Sequence, residues 1–267
     1  MKPRVVTFLS DFGLKDPYVA EMKAIVLRKC PEAKIVDISH AIDKFDVRMG
    51  AFVLASAAPF FPKGTVHVAV VDPGVGARRL PIIVETGIGW FVGPDNGVLL
   101  LAASRGGLRH VYVIENPRYM LSRVSRTFHG RDVFAPAAAY LALGVDASKF
   151  GRETRDYVVP EFVKPVLKEN SVFGEVLHVD DFGNVITNIP SETLRKLVVS
   201  EKGSLQVKAG DKSAAMKLCS AYSEVAKGKP LLILGSHDFL EISVNQGNAA
   251  KLLAVKRGDS VRVWRRS

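Results

Sequence analysis

Acidic, basic and imidazole side chains recur in three short polar segments of the N-terminal half of the chain. The segments are residues 10–16, 70–79 and 127–132. Asp72, Arg79 and His129 supply a carboxylate, a guanidinium and an imidazole, a set of groups that could hold and activate a water molecule. Each of them alone is a weak signal, because Asp-Pro-Gly commonly forms a turn and a lone histidine commonly has a structural role.

The first segment contains Asp11-Phe12-Gly13, a tripeptide that holds Mg²⁺ in protein kinases. A kinase needs a glycine-rich loop, a strand lysine and an HRD catalytic loop upstream of this tripeptide, but only ten residues precede Asp11. The FHGRD stretch at 128–132 lies downstream and lacks the HRD order. We therefore interpret Asp11 as an acid at the carboxyl end of a strand, where open α/β sheets bind ligands, with a turn cap as the alternative.

The segment at 70–79, VVDPGVGARR, is not a nucleotide-binding loop. It lacks the GxxxxGK[ST] pattern, and Gly74-Val75-Gly76 has no third glycine to complete a dinucleotide fingerprint. Two polar segments of the C-terminal half, at 179–189 and 235–250, interrupt strand-like runs, and hairpin turns alone could account for the first. Polar groups at the loop ends of both halves indicate a ligand held between domains or between subunits.

The hydrophobic pattern predicts two domains. Strands are predicted at 5–9, 34–38, 66–71, 81–85, 90–92, 174–179, 204–208, 231–234 and 260–264, and helices at 18–29, 45–59, 97–104 and after 131. Alternation of strands and helices over residues 1–155 predicts an α/β domain with a mainly parallel sheet. We interpret the charged, proline-containing segment 156–170 as a linker, and the short strands over 171–267 predict an all-β barrel or a sandwich.

Composition excludes several classes of protein. The net charge of +10 and six arginines within 105–131 raise the possibility of nucleic-acid binding, but zinc-finger, RNP-like and basic-zipper patterns are missing, so we expect a solvated basic face. The longest uncharged stretches fall short of the roughly 18 to 20 apolar residues of a membrane span. Without a signal-peptide pattern we expect a cytoplasmic protein, and the widely spaced Cys30 and Cys219 indicate neither a disulfide framework nor a zinc site.

Six stretches in order resemble the S-adenosyl-L-methionine (SAM) hydroxide adenosyltransferases, also called SAM hydrolases, which are relatives of the fluorinase and the chlorinase. The stretches are TFLSDFGLKDPYVAEMKAIV, VVDPGVGARR, FVGPDNGVL, TFHGRDVFAPAAA, DDFGNVITNI and GSHDFLEISVNQGNAA. The resemblance covers nearly the whole chain. It implies an N-terminal α/β domain, a C-terminal β-barrel and a homotrimer in which SAM is bound between the N-terminal domain of one subunit and the C-terminal domain of the next.

The resemblance also implies roles for individual residues. Asp72, Arg79 and His129 take the places of the water-handling residues, with Arg78 as the neighbouring alternative to Arg79, and Asp11 holds the two ribose hydroxyls. The implied substrate contacts are Asp11, Asn96, Asp180, Phe182, Asn184, Tyr222, Ser236 and His237, with Tyr222 as the aromatic side chain that stacks on adenine. His237 departs from the arginine that relatives commonly carry, and histidine lacks the permanent charge and bidentate fork of that residue.

The resemblance favours water over halide as the nucleophile. The halogenases replace Asp72 with tyrosine and carry an extra loop in the first domain. The expected activity is hydrolysis of SAM to adenosine and L-methionine with no cofactor or metal, since the sulfonium departs as a neutral thioether. The alternatives are a halide-using synthase, a sensor of SAM or adenosine with incidental turnover, and a basic nucleic-acid-binding protein.

Overall fold

The computed structural model describes residues 4–197 and 203–265, and the chain divides after Pro160 into two compact units. The division falls inside the segment interpreted as a linker. That segment also contains a 3₁₀ turn, Glu161–Val163, and a short strand, Val166–Lys168, which both belong to the second unit. Within the described ranges, no helix has the length and apolar character needed to cross a membrane.

The first unit is built on a six-stranded mixed sheet. Its strands are β1 (Val5–Ser10), β2 (Lys34–Ser39), β3 (Thr65–Val70), β4 (Pro81–Thr86), β5 (Gly89–Pro94) and β6 (Leu108–Val113), in the order β2-β1-β3-β5-β4-β6. The pairs β2–β1, β1–β3 and β3–β5 are parallel, whereas β4 is antiparallel to both β5 and β6. Only Gly87 and Ile88 connect β4 to β5, and a connection this short forces an antiparallel hairpin.

Helices cover the sheet of the first unit. They are α1 (Tyr18–Lys29), α2 (Val47–Ala57), α3 (Leu100–Arg105) and α4 (Ala135–Ala142), the last continuing a π-helical turn, Gly130–Phe134. Helix α1 buries Val19, Met22 and Val26, which repeat every three to four residues along one face. Helix α4 packs against α1 and against β3, so the residues that precede α4 are held close to the carboxyl ends of the central strands.

The second unit is a closed barrel of seven strands with an eighth strand on its outside. The strands are β7 (Val166–Lys168), β8 (Ser171–Val179), β9 (Val185–Pro190), β10 (Gly203–Ala209), β11 (Lys212–Cys219), β12 (Pro230–Leu234), β13 (Phe239–Val244) and β14 (Ser260–Trp264). The ring runs β14-β10-β11-β12-β13-β9-β8 and closes through the β8–β14 pair. Two short helices, α5 (Ser191–Leu197) and α6 (Ala249–Leu253), accompany the strands. Because the ring of strands closes, the second unit is the barrel and not the sandwich.

One histidine is built into the sheet of the first unit. His67 on β3 is 1% exposed, its Nδ1 lies 2.8 Å from Thr7 Oγ1, and its ring stacks on Phe91 with 4.9 Å between centroids. Burial lowers the pKa of His67 to about 4. Protonation of His67 is therefore less favourable in the folded protein than in the unfolded chain.

We predict that this histidine makes the fold sensitive to acid. Its folded pKa lies below its unfolded value of about 6.5, so stability is lost as pH falls through that window, by up to roughly 3 kcal/mol near pH 4. Urea unfolding of the wild type and of His67→Gln near pH 7 and near pH 4.5 tests this, and the variant should lose less stability between the two. An equal loss in both proteins would contradict the prediction.

Candidate active site

Three of the residues singled out in the sequence follow the carboxyl ends of three adjacent parallel strands. Asp11 follows β1, Asp72 follows β3 after one residue, and Asn96 follows β5 after one residue. The register pairs the last residues of β1 and β3 with each other, and β5 runs alongside β3. The three side chains therefore lie at one edge of the sheet, the edge at which open α/β sheets bind ligands.

Asp72, Arg79 and His129 form one hydrogen-bonded chain. The Nε atom of Arg79 lies 3.1 and 3.0 Å from the two carboxylate oxygens of Asp72, and its Nη2 lies 2.5 Å from Oδ2. The same Nη2 lies 2.7 Å from Nδ1 of His129. The carboxylate, guanidinium and imidazole that were selected from separate segments thus meet in the folded unit, with the arginine in the middle.

Burial distinguishes Arg79 from its neighbour. The side chains of Arg79 and Asp72 are 9% and 5% exposed, and the guanidinium lies 5.4 Å from the centre of the Phe134 ring. Arg78, in contrast, is exposed. Because only Arg79 reaches both Asp72 and His129, the geometry favours it over the alternative that the sequence left open.

The contact with Arg79 fixes how His129 can be protonated. A guanidinium only donates hydrogen bonds, so Nδ1 of His129 must accept one, and the neutral ring then carries its proton on Nε2. The pKa of His129 is lowered by burial and next by the charge of Arg79, while Asp72 acts in the opposite direction. In this arrangement His129 is a neutral acceptor that orients Arg79.

Backbone geometry holds the two loops of this chain together. Gly76 has a φ of 78°, and a Cβ atom there would lie 2.4 Å from the backbone oxygen of Arg126. Arg126 lies three residues before His129, so only a glycine lets the two loops approach this closely. The fully buried carboxylate of Asp132 accepts a bond of 2.8 Å from the Ser125 amide and fixes the start of the π-helical turn.

Asp11 is held by a segment that the sequence did not single out. It is 5% exposed, its Oδ2 accepts a 2.9 Å bond from the Phe45 amide, and its backbone oxygen accepts a bond from Nζ of Lys44. Phe45 itself has a φ of 66°, which is unusual for a residue other than glycine. The orientation of the Asp11 carboxylate therefore depends on a turn more than thirty residues away in the chain.

Asn96 connects two backbone groups. Its Nδ2 donates to the carbonyl of Val71 at 2.8 Å, and its Oδ1 accepts from the amide of Val98 at 3.1 Å. Val71 immediately precedes Asp72. Asn96 thus ties the loop after β5 to the residue before the site carboxylate, a positioning role that the sequence alone did not reveal.

In the second unit the predicted residues at 180–184 form a tight turn between β8 and β9. The carboxylate of Asp180 accepts from the amide of Asn184 at 2.8 Å and from its side-chain Nδ2 at 2.9 Å. Phe182 at the tip is 81% exposed. Gly183 has a φ of 85°, and a Cβ atom there would collide with Asn248, which explains why a glycine stands in the turn.

A buried acid lies beside the predicted adenine-stacking residue. Tyr222 is 41% exposed, and its hydroxyl donates to Oε2 of Glu241 at 3.4 Å. Burial raises the pKa of Glu241, and the charge of Asp180 raises it further. Ser236 and His237 lie in the turn between β12 and β13. Sequence reasoning missed Glu241, because an acid on a central barrel strand gives no local motif.

Metal-ligating side chains do not gather in the described ranges. Among residues 4–197 and 203–265, His, Cys, Asp and Glu form no group of three or more that could hold a metal ion. Cys30 and Cys219 are both free and buried.

Comparison with known proteins identifies the family. A model of the SAM hydroxide adenosyltransferase N-terminal domain matches residues 6–151, and a model of the C-terminal domain matches residues 174–262. The chain belongs to the SAM hydroxide adenosyltransferase family. All three members of the Asp72, Arg79 and His129 chain lie in the region matched by the N-terminal model.

Individual relatives include proteins with assigned activities. An (R)-S-adenosyl-L-methionine hydrolase of Thermus thermophilus is 40% identical over 97% of this chain and 99% of its own, and one of Methanocaldococcus jannaschii is 36% identical over 97% and 95%. A fluorinase of Actinopolyspora mzabensis is 26% identical over 98% and 97%. An uncharacterized conserved protein of Thermotoga maritima has a crystal structure that matches with a TM-score of 0.87, 41% identity and coverage of 97% and 100%.

The electrostatics of the site predict opposite shifts in the pKa of His129. Arg79→Met removes a neighbouring positive charge and should raise that pKa, whereas Asp72→Asn removes a negative charge and should lower it. An NMR titration of the His129 ring protons measures both, with the exposed Arg78→Met as the matched control that leaves the pKa near its wild-type value. Shifts of the same sign in both site variants would contradict the arrangement.

Proposed function

We propose that the protein hydrolyses S-adenosyl-L-methionine to adenosine and L-methionine. The observation that carries the proposal is the chain of hydrogen bonds from Asp72 through Arg79 to His129 at the carboxyl edge of the sheet. Family membership and the names of relatives at 36 to 40% identity over nearly the whole chain support the same substrate and reaction.

The chemistry of SAM makes modest demands on a protein. The sulfonium leaves C5' as a neutral thioether, so no acid has to protonate the leaving group and the proposal needs no cofactor or metal. Water is the difficult partner, because it is a poor nucleophile unless it is aligned with the breaking bond and its proton is accepted. We therefore propose that the polar groups of the site act on the water and not on the leaving group.

Each of the three hydrogen-bonded residues, Asp72, Arg79 and His129, has a distinct part in this reaction. The carboxylate of Asp72 accepts a hydrogen bond from the water, which attacks C5' as the C5'–S bond breaks and its electron pair stays on sulfur. The proton of the water passes through Asp72 to solvent. Arg79 keeps the carboxylate in place and stabilises the developing hydroxide, and His129 accepts from Arg79 and fixes its plane.

Recognition of the substrate is proposed to involve both units. Asp11 accepts the ribose hydroxyls, while Asp180, Phe182, Asn184, Tyr222, Ser236 and His237 recognise adenine and the methionine end. The acids offset a net charge of +10 that would otherwise disfavour a cationic sulfonium. Asn96 contacts the substrate in this proposal, and its bonds to the Val71 carbonyl and the Val98 amide also support the Asp72 loop.

The proposal includes a homotrimer with shared sites, as the resemblance implies, and light scattering should return the mass of three chains. It places the protein in the cytoplasm, to which free, buried cysteines are suited. Nucleic acids and membranes have no part in it. A single-chain mass with full activity would remove the trimer from the proposal.

Incubation with SAM in ¹⁸O-labelled water tests the activity directly. Mass spectrometry should find adenosine and L-methionine as products, with the label on the 5'-oxygen of adenosine and none in methionine, because water attacks C5'. A parallel incubation with fluoride, chloride and bromide should give no halogenated nucleoside.

Other outcomes would overturn the proposal in recognisable ways. A halogenated nucleoside would assign the protein to halide chemistry. Tight binding of adenosine without turnover would indicate a sensor. Adenosine without the label would exclude attack of water at C5'.

A further inference from the structure

A chain of four polar side chains, buried at its Ser10 and His40 end, lies directly behind Asp11. The hydroxyl of Ser10, the last residue of β1, is 2.7 Å from Nδ1 of His40, and Nε2 of His40 is 3.1 Å from Oδ1 of Asp37. Lys23 on α1 completes the chain with an ion pair of 2.6 Å to Oδ2 of Asp37. None of these four residues takes part in the water chemistry described above.

A serine, a histidine and an aspartate in contact could suggest a nucleophilic triad, but this chain cannot act as one. Ser10 is fully buried and His40 is only 6% exposed, so a substrate cannot reach the hydroxyl. The hydroxyl oxygen also accepts a bond of 3.3 Å from the Phe12 amide. The arrangement must therefore serve the backbone around it.

Hydrogen-bond roles along this chain can be assigned. Nε2 of His40 faces the Asp37 carboxylate, which only accepts hydrogen bonds, so Nδ1 is left to accept from the hydroxyl of Ser10, whose oxygen accepts from the Phe12 amide. Neutral His40 then carries its proton on Nε2, facing Asp37, although this contact falls short of good hydrogen-bond geometry. Burial lowers the pKa of His40, which favours the neutral ring that these roles require.

His40 holds the Asp11 loop at two points. Its ring fixes the hydroxyl of Ser10 on one side of Asp11, and its backbone oxygen accepts a 2.8 Å bond from the amide of Gly13 on the other side. Gly13 has a φ of 71°, so the chain turns sharply just after the acid. The loop that carries Asp11 is thus fastened to the segment after β2 before and after the carboxylate.

We propose that His40 is a positioning residue for ribose recognition, acting through Ser10 to fix the backbone from which Asp11 meets the 2'- and 3'-hydroxyls. This inference rests on the proposed function, in which Asp11 accepts those hydroxyls. It differs from that proposal because His40 and Ser10 never touch the nucleoside. Their effect is on the direction of the Asp11 carboxylate.

Discrimination between adenosine and 2'-deoxyadenosine measures this effect. Calorimetry gives the dissociation constant of each, and their ratio reports how well a ribose hydroxyl is recognised, independently of adenine binding. Loss of one hydrogen bond changes such a ratio by roughly threefold to tenfold. We expect the wild type to prefer adenosine and Asp11→Ala to lose that preference.

Two substitutions of His40 separate its contacts. Asn places its side-chain oxygen near the position of Nδ1 and can still accept from Ser10, whereas Gln reaches toward Asp37 instead. We expect His40→Asn to keep the wild-type ratio, and we expect His40→Gln and Ser10→Ala to lower it toward that of Asp11→Ala. Ser10→Ala removes a single oxygen atom, so it keeps the test decisive if a His40 variant fails to fold.

His67→Gln is the matched control, because it removes another buried histidine bonded to a β1 hydroxyl, at Thr7, away from the Asp11 loop. It should lower stability and leave the ratio unchanged. A wild-type ratio in Ser10→Ala and His40→Gln, with Asp11→Ala impaired, would overturn the inference while the proposed function stands. A wild type without preference for adenosine would overturn both the assignment of Asp11 to the ribose hydroxyls and this inference. The proposed hydrolysis of SAM is tested separately, by its products.

Discussion

The ion pair between Asp72 and Arg79 is the interaction on which the candidate site depends. Both side chains are largely withdrawn from solvent, and a buried pair contributes little net stability because desolvation offsets the attraction between the charges. Its presence is better explained by chemistry. The guanidinium fixes the direction of one carboxylate and occupies the Nδ1 acceptor of His129, so the positions of the three groups depend on one another.

The fold satisfies this constraint with few special features. Parallel pairing of β1, β3 and β5 brings three strand ends to one edge, and Gly76 lets the loop after β3 touch the backbone that leads to His129. Asn96, after β5, bonds to the backbone just before Asp72, and His40 holds the loop that carries Asp11. Contacts within the protein thus set the positions of the loops that carry Asp11 and Asp72.

Much of this organisation could be predicted from local sequence. The alternation of strands and helices, the strand-rich second half and the types of the residues at 72, 79 and 129 all follow from pattern and chemistry. The alternation predicts a mainly parallel sheet, whereas the Gly87-Ile88 hairpin makes the observed sheet mixed. Arg78 and Arg79 could not be separated without burial, and the contacts of Phe45, Asn96 and Glu241 arise from distant parts of the chain that leave no local pattern.

The central claim is that Asp72, Arg79 and His129 act on the water as one unit, and a double-mutant cycle on the rate of the chemical step tests it most directly. Single-turnover rates with SAM would be measured for the wild type, Asp72→Asn, Arg79→Met and the double variant. Residues that act as a unit are strongly non-additive, so the double variant should lose no more rate than the worse single variant. Fold losses that multiply in the double variant would show independent contributions and contradict the account.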